Sequence, residues 1–111
     1  MNSEITTPEQ LKVQLDNSAM MLLYFYNDNC APCIALRPKV EAMISEEFPE
    51  MKQFYINAEK YSFIAATHEV FASPTIIIFV NGMESLRFSK FVSVYDLSEK
   101  IGRYYNMIFG I

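Results

Sequence analysis

The sequence predicts an α/β fold in which a central mixed β-sheet of four to five strands carries helices on both faces. Two apolar runs of strand length, AMMLLYFY and TIIIFV, and the alternation of strand-like with helix-like segments lead to this prediction. A strand that is apolar at every position is buried on both faces, so helices have to cover the sheet on both sides. The order of segments is βαβ followed by ββα. For a chain of 111 residues we expect a single domain, residues 1–111.

The composition excludes several classes of protein. Hydrophobic residues make up 51% of the chain and charged residues 20%, which is typical of a globular domain and not of a disordered segment. The net charge of −4 argues against nucleic acid as a partner, because phosphate binding needs clustered Lys and Arg. The apolar runs are shorter than the ~20 residues that span a bilayer, so we expect no membrane association. The N-terminus has neither a basic start nor an apolar core, and we therefore expect no signal peptide and a cytoplasmic protein.

Local signals place the first helix and the first strand. Thr7 is the predicted N-cap, Pro8 occupies the first helical position, and Gln10 completes a capping box. The first strand is predicted over residues 19–26, the first of the two long apolar runs. A short strand at residues 4–5 is the candidate for a fifth strand in the sheet.

The middle of the chain predicts a long helix, a strand and a second helix. Apolar residues recur at helical spacing over residues 31–48, and Pro38 should kink this helix because proline removes a ladder hydrogen bond. The segment KQFYIN, residues 52–57, reads as a strand. Residues 59–70 read as a helix.

The last third of the chain predicts a hairpin and a closing helix. Asn81–Gly82 is a strong signal for a two-residue turn between strands at residues 75–80 and 83–91. Ser93 is the predicted N-cap of the final helix, with Asp96 three residues later.

Both cysteines of the chain, Cys30 and Cys33, lie in the segment CAPC between the first strand and the second helix. A thiol at a helix N-terminus faces unpaired N–H groups and the positive end of the helix dipole, and both favour the thiolate. Cysteines in such C-x-x-C motifs have pKa values near 7 or below, against ~8.5 for a free thiol. The thiolate attacks a disulfide, and a second thiol one turn later can resolve the mixed disulfide. Cys30 is therefore the predicted nucleophile and Cys33 the predicted resolving thiol.

A structural disulfide and a metal site are the alternatives for this cysteine pair. A structural disulfide would be unusual in the cytoplasm, and a core of this size does not need one. Tetrahedral zinc takes four ligands, whereas this chain offers two cysteines and one histidine, His68. We expect His68 to lie solvated on a surface helix and Asp28 and Glu41 to be solvated as well. No metal and no bound cofactor are expected.

Several motifs together resemble the thioredoxin family over nearly the whole chain. They are the order of elements, CAPC at a strand-to-helix junction, a proline five residues after the second cysteine, SPT before a buried strand, NG after it, and an amphipathic last helix. The resemblance implies the thioredoxin fold and the reduction of protein disulfides, with electrons from a thioredoxin-reductase-type donor. It also implies that Pro74 is cis, lies against the thiols and pairs with an extended substrate through the neighbouring backbone. Asn29, Ala31, Pro32, Ser73 and Pro74 are therefore the candidate substrate-binding residues.

Four features depart from the usual thioredoxin pattern. Asn29 replaces an aromatic residue before the first cysteine, and Ala31 replaces the glycine after it. Lys90 lies near the position of a glycine in the substrate groove. Tyr24 and Tyr55 fall where the family has a buried Asp and its Lys partner. These differences leave the predicted fold unaffected and are expected to change substrate range and rate.

Disulfide-containing proteins are thus the expected substrates, and a monomer or weak dimer is the expected state. Two other functions remain open from the sequence alone. One is an exported disulfide oxidase or isomerase, which a leader peptide upstream of the chain would indicate. The other is a thioredoxin-fold binding module with little redox turnover, which would dock partners through its groove or through the apolar tail at residues 106–111.

Overall fold

The computed structural model describes residues 3–110. These residues form four helices and four strands in the predicted order. Their bounds are α1 Pro8–Asp16, β1 Met20–Tyr26, α2 Ala31–Glu47, β2 Lys52–Asn57, α3 Ser62–Thr67, β3 Thr75–Val80, β4 Met83–Ser89 and α4 Val94–Phe109. Among the described residues, no helix is both long enough and apolar enough to cross a membrane.

The four strands form one mixed sheet in the order β2-β1-β3-β4. β1 runs parallel to β2 and antiparallel to β3, and β3 pairs antiparallel with β4. The candidate fifth strand at residues 4–5 is reduced to a single parallel bridge between Glu4 and Tyr55. The sheet of the described chain therefore has four strands, the lower of the two expected numbers.

Helices cover both faces of this sheet, as the sequence predicts. Alternate side chains of β1, such as Leu22 and Tyr24, enter a core shared with α2 and α4. The intervening side chains, such as Leu23 and Phe25, enter a second core with α1 and α3. Since successive side chains of a strand point to opposite faces, β1 and β3 have to be apolar throughout to fill both cores. The predicted thioredoxin fold is confirmed.

The second of the middle helices is shorter than predicted. Residues 59–70 were expected to be helical, whereas α3 spans only Ser62–Thr67. The side chain of Asn57 accepts hydrogen bonds from the N–H groups of Glu59 and Lys60, so these residues form a turn. At the other end Glu69 takes a positive φ of 55°, which a helix cannot accommodate. Hydrogen bonds from the backbone to an asparagine side chain compete with helix formation, and here they delay the start of α3.

The predicted helix caps and the hairpin turn are present, with one difference. The hydroxyls of Thr7 and Ser93 accept hydrogen bonds from backbone N–H groups three residues later. The side chain of Gln10, however, accepts from the N–H of Thr6 and not from that of Thr7, so the capping box closes one residue early. Asn81 and Gly82 both take positive φ, 51° and 79°, as a tight two-residue turn requires.

Candidate active site

The two cysteines lie at the junction of β1 and α2 and are joined by a disulfide with a Cα–Cα distance of 5.2 Å. Cys30 is the N-cap of α2, and its sulfur accepts a hydrogen bond from the N–H of Cys33 at 3.2 Å. This N–H belongs to the first turn, where helix donors have no backbone partner. A donor and the positive end of the helix dipole therefore both face the Cys30 sulfur.

The loop before Cys30 is fixed by local hydrogen bonds. The side-chain oxygen of Asn27 accepts from the N–H of Asn29 at 2.9 Å, and the backbone oxygen of Asn27 accepts from the N–H of Cys30. Pro32, in the first turn of α2, has no N–H to compete for acceptors. The Asn27 turn and the start of α2 thus hold Cys30 just beyond the C-terminal end of β1, a central strand of the sheet.

Both cysteines are buried in the disulfide form, and they differ slightly in exposure. Cys30 is 8% exposed and Cys33 is 2% exposed. Both cysteines belong to the core cluster beneath α2, but Cys30 is the N-cap of the helix, whereas Cys33 lies inside its first turn. A reagent or substrate therefore has better access to Cys30.

The candidate substrate-binding residues come from two segments that are distant along the chain, residues 29–32 and 73–74. Asn29 and Ala31 are exposed next to it in sequence. Pro32 and Pro74 line one hollow together, and the Ser73–Pro74 peptide bond is cis. Ser73 lines a neighbouring hollow with Asn27. The tertiary structure thus brings Pro74, which is distant in sequence, to the N-terminal turn of α2.

Tyr24 and Tyr55 are neighbours in the register of β1 and β2, and both are buried. The Tyr24 hydroxyl donates to the backbone oxygen of Cys33 at 2.8 Å, and the Tyr55 hydroxyl donates to the side chain of Gln53. Burial raises the pKa of Tyr24 to about 12, and it raises the pKa of Tyr55 as well. Neither tyrosine can act as a base at neutral pH, and both instead contribute packing and hydrogen bonds.

A charged cluster beside Cys33 was not predicted from the sequence. The Arg37 guanidinium donates to Glu4 at 3.0 Å and to Glu41 at 2.8 Å, and it lies 3.8 Å from the centroid of the Tyr55 ring. Burial opposes the charge of Arg37, but the hydrogen bonds to both carboxylates outweigh it and raise the pKa of the guanidinium. The expectation that Glu41 is solvated was wrong, since it is half-buried and paired. The spacing of four residues between Arg37 and Glu41 on one helix could have predicted their ion pair, whereas the pairing of Arg37 with Glu4 has no such local signal.

This cluster borders a cleft of about 280 Å³ that reaches Cys33. Arg37 and Glu41 line the cleft together with Asp28, which is exposed as expected. Cys33 therefore lies between the hydrophobic core and a cleft whose walls carry three charged side chains.

His68 is not solvated, contrary to the expectation. It is half-buried after the end of α3, with its ring 6.4 Å from that of Phe25 and 6.0 Å from that of Phe79, centroid to centroid. Burial, followed by the nearby Arg87 charge, lowers the pKa of His68. No group of three or more His, Cys, Asp or Glu residues placed to hold a metal ion occurs within residues 3–110.

A Cys-x-x-Cys disulfide at the N-terminus of a helix, with a cis proline from a distant segment beside the residue between the two cysteines, is the site of a thiol–disulfide oxidoreductase. The comparisons with known proteins agree. The thioredoxin family profile matches residues 2–103. A thioredoxin-like protein of Bacillus subtilis, YdfQ, is 31% identical over 88 residues, which are 79% of this chain and 78% of that protein. Thioredoxin-1 of Saccharomyces cerevisiae is 26% identical over 76% of this chain and 81% of the yeast protein.

Solved structures give the same result. The Fasciola hepatica thioredoxin superposes with a TM-score of 0.81 at 30% identity, covering 93% of this chain and 98% of that one. A mutant thioredoxin from Halobacterium salinarum superposes with a TM-score of 0.83 at 22% identity, covering 92% of this chain and 88% of that one. The chain belongs to the thioredoxin family. With its Cys30–Cys33 pair, it is a protein-disulfide reductase that works by thiol–disulfide exchange.

Proposed function

We propose that Cys30 is the attacking thiol and Cys33 the resolving thiol in the reduction of disulfides on other proteins. The observation that carries this assignment is the hydrogen bond from the N–H of Cys33 to the Cys30 sulfur. Hydrogen bonds to an ionised acceptor are stronger than those to a neutral one, so this donor stabilises a thiolate more than a thiol. The greater exposure of Cys30 supports the same order of events.

The reaction has two exchange steps. In the reduced protein, the Cys30 thiolate attacks one sulfur of the substrate disulfide, and the other substrate sulfur leaves as a thiolate. Cys33 then loses its proton and attacks the Cys30 sulfur, which releases the second substrate sulfur as a thiolate. The substrate gains two electrons and takes up two protons, while the protein is left as the Cys30–Cys33 disulfide. A thioredoxin-reductase-type protein would return the two electrons.

We assign substrate contact to Asn29, Ala31, Pro32, Ser73 and Pro74. Their exposure or placement around Cys30 supports this assignment. We further propose that the protein acts in the cytoplasm as a single domain and a monomer or weak dimer, with no bound cofactor. Its acidic charge supports a protein partner over nucleic acid.

Insulin reduction with dithiothreitol tests the proposal. The wild-type protein should accelerate precipitation of the insulin B chain, and Cys30→Ser should abolish this effect. Cys33→Ser should retain Cys30 and form a stable mixed disulfide with insulin, visible on a non-reducing gel. If Cys30→Ser traps insulin and Cys33→Ser does not, the two roles are reversed. Unchanged partner binding by the double variant, with no reduction by the wild type, would instead indicate a binding module.

A further inference from the structure

A groove beside the disulfide combines apolar walls with two lysines. It measures about 470 Å³ and runs between the N-terminal half of α2 and the loop from β4 to α4. We call it the Lys39–Lys90 groove, and its walls are Pro32, Ala35, Leu36, Lys39, Pro74, Lys90, Phe91, Val92 and Ser93. Since Pro32, which lies between the cysteines in sequence, lines this groove together with Pro74, a substrate chain bound at Cys30 has the groove within reach.

The apolar part of the groove includes a phenylalanine without a packing partner in the fold. Phe91 is 98% exposed, and the neighbouring Val92 and Leu36 are half-buried. A fully exposed Phe does not stabilise the folded chain through burial. It offers a large apolar surface that a bound segment can cover.

The charges of the groove differ in sign from the charge of the whole protein. The net charge is −4, yet the titratable residues of the groove are two exposed lysines. Among the other basic residues, Lys12, Arg37, Arg87 and Lys100 are paired with carboxylates, whereas Lys52, Lys60 and Arg103 form no salt bridge within residues 3–110. Within residues 3–110, neither Lys39 nor Lys90 forms a salt bridge, so both charges remain available to a partner.

The backbone holds this part of the groove against the active site. Lys90 takes a positive φ of 66°, and its N–H donates to the backbone oxygen of Pro74 at 2.8 Å. The backbone of Lys90 is therefore tied to the segment that carries Pro74. Backbone that is already ordered loses less conformational entropy when a substrate binds than mobile backbone does.

We propose that the Lys39–Lys90 groove selects protein disulfides whose reacting cysteine has an acidic and an apolar residue close to it in sequence. This inference rests on the proposed function, because the selected segment is the one that Cys30 attacks. The carboxylate pairs with the two lysines, while the apolar side chain covers Phe91. A polypeptide fits both features, whereas glutathione disulfide supplies carboxylates without an apolar side chain.

Peptide disulfides with matched sequences test this selection. Three short peptides, each dimerised through its single cysteine, carry Leu and Glu, Leu and Lys, or Ala and Glu on both sides of that cysteine. The reduced protein is mixed with each dimer and with glutathione disulfide, and acid quenching gives the rate of the first exchange. We expect the Leu–Glu dimer to react about tenfold faster than the Leu–Lys dimer at low salt, and the ratio to shrink as ionic strength screens the charges.

Lys→Glu variants test which lysines cause the preference for the acidic peptide. Lys39→Glu and Lys90→Glu should each reverse or abolish the preference for the acidic dimer, and Phe91→Ser should abolish the preference for Leu over Ala. Lys52→Glu is the matched control, since it changes the net charge equally but lies at the first position of β2, at the opposite end of the sheet from the cysteines. It should leave the preference as in the wild type.

The outcomes separate this inference from the proposed function. Hydroxyethyl disulfide, small and neutral, should be reduced at the same rate by the wild type and by Lys52→Glu. Failure to reduce it or any peptide would refute the assigned exchange chemistry. Equal rates for all three peptide dimers, an equal effect of Lys52→Glu, or faster reduction of glutathione disulfide than of the Leu–Glu dimer would overturn the selection alone.

Discussion

The hydroxyl of Tyr24 donates a hydrogen bond to the backbone oxygen of Cys33 at 2.8 Å. Tyr24 is fully buried in β1, and Cys33 lies in the first turn of α2. The bond ties the turn that carries Cys33 to the central sheet. Tyr24 occupies the position at which the family has a buried Asp. It therefore anchors the first turn of α2 by a hydrogen bond and does not act as a base.

The first prediction concerns the second exchange step. Cys33 has to lose its proton where burial raises the pKa of a thiol, and Tyr24, with its pKa raised to about 12, does not accept that proton. Mixed disulfides through Cys30 should therefore accumulate during turnover of the wild type. Tyr24→Asp should speed their resolution and destabilise the fold by roughly 3–5 kcal/mol, because it removes a buried ring and buries an acid without a Lys at position 55.

Rapid-quench trapping of the mixed disulfide and urea denaturation measure the two effects of Tyr24→Asp. Tyr24→Phe is the control: it should lose about 1 kcal/mol with the hydrogen bond and leave the resolution rate unchanged. Resolution as fast as attack in the wild type, with no change in Tyr24→Asp, would show that another group serves as the base.

The second prediction is that limiting iodoacetamide near pH 7 labels Cys30 of the reduced protein before Cys33. Cys30 is the more exposed of the two and faces the first-turn N–H of α2, whereas Cys33 is 2% exposed. Peptide mapping by mass spectrometry reads out the site of labelling. Preferential labelling of Cys33 would contradict the assignment.

The third prediction is that Ser73→Val raises the pKa of the Cys30 thiol. Ser73 precedes Pro74, is half-buried, and makes no hydrogen bond through its hydroxyl within residues 3–110 of the disulfide form. A hydroxyl donor to a thiolate contributes roughly 1.5–3 kcal/mol before solvent competition, so we expect a rise of about one pKa unit. Thiolate absorbance at 240 nm gives the titration. Ser85→Val in β4 should have no effect, and an unmoved titration in Ser73→Val would exclude the role of the hydroxyl.

The fourth prediction is that Arg37→Met destabilises the protein by roughly 1–2 kcal/mol, because it removes two charged hydrogen bonds and the contact with the Tyr55 ring. Lys12→Met removes an exposed ion pair and should cost less than about 0.5 kcal/mol. Urea denaturation of both variants measures the difference. Equal losses would mean that the Arg37 cluster behaves as an ordinary surface ion pair.

The fifth prediction concerns the single histidine. Burial lowers the pKa of His68 in the folded protein below its unfolded value of about 6.5, so the unfolded state binds the proton more tightly. The contribution of His68 to stability should therefore be fully present above that pH and should be lost as the pH drops below it. His68→Leu should lose less stability than the wild type between pH 7.5 and 5.5, measured by urea midpoints. If the wild type and His68→Leu lost equal stability over this pH range, a group other than His68 would be responsible for the pH dependence.

Much of the fold could be predicted because its signals are local. The apolar runs of β1 and β3, the Asn81–Gly82 turn and the caps at Thr7 and Ser93 depend on residues within a few positions of one another. The same holds for Cys30 at the start of α2. The helix predicted at residues 59–70 was too long, because turn formation by the Asn57 side chain has no periodic signature.

The sequence by itself determined the order of the elements, the two-sided burial of the sheet and the cysteine pair at a strand-to-helix junction, since these follow from hydrophobic pattern and neighbouring residues. Only the tertiary structure decided what lies around that pair. The Tyr24 bond to Cys33, the contact of Arg37 with Glu4 and the groove between Lys39 and Lys90 each join segments that are distant along the chain. Such contacts depend on how the helices pack on the twisted sheet. The hydrophobic pattern of a sequence shows which side chains are buried, but it does not show which side chains meet.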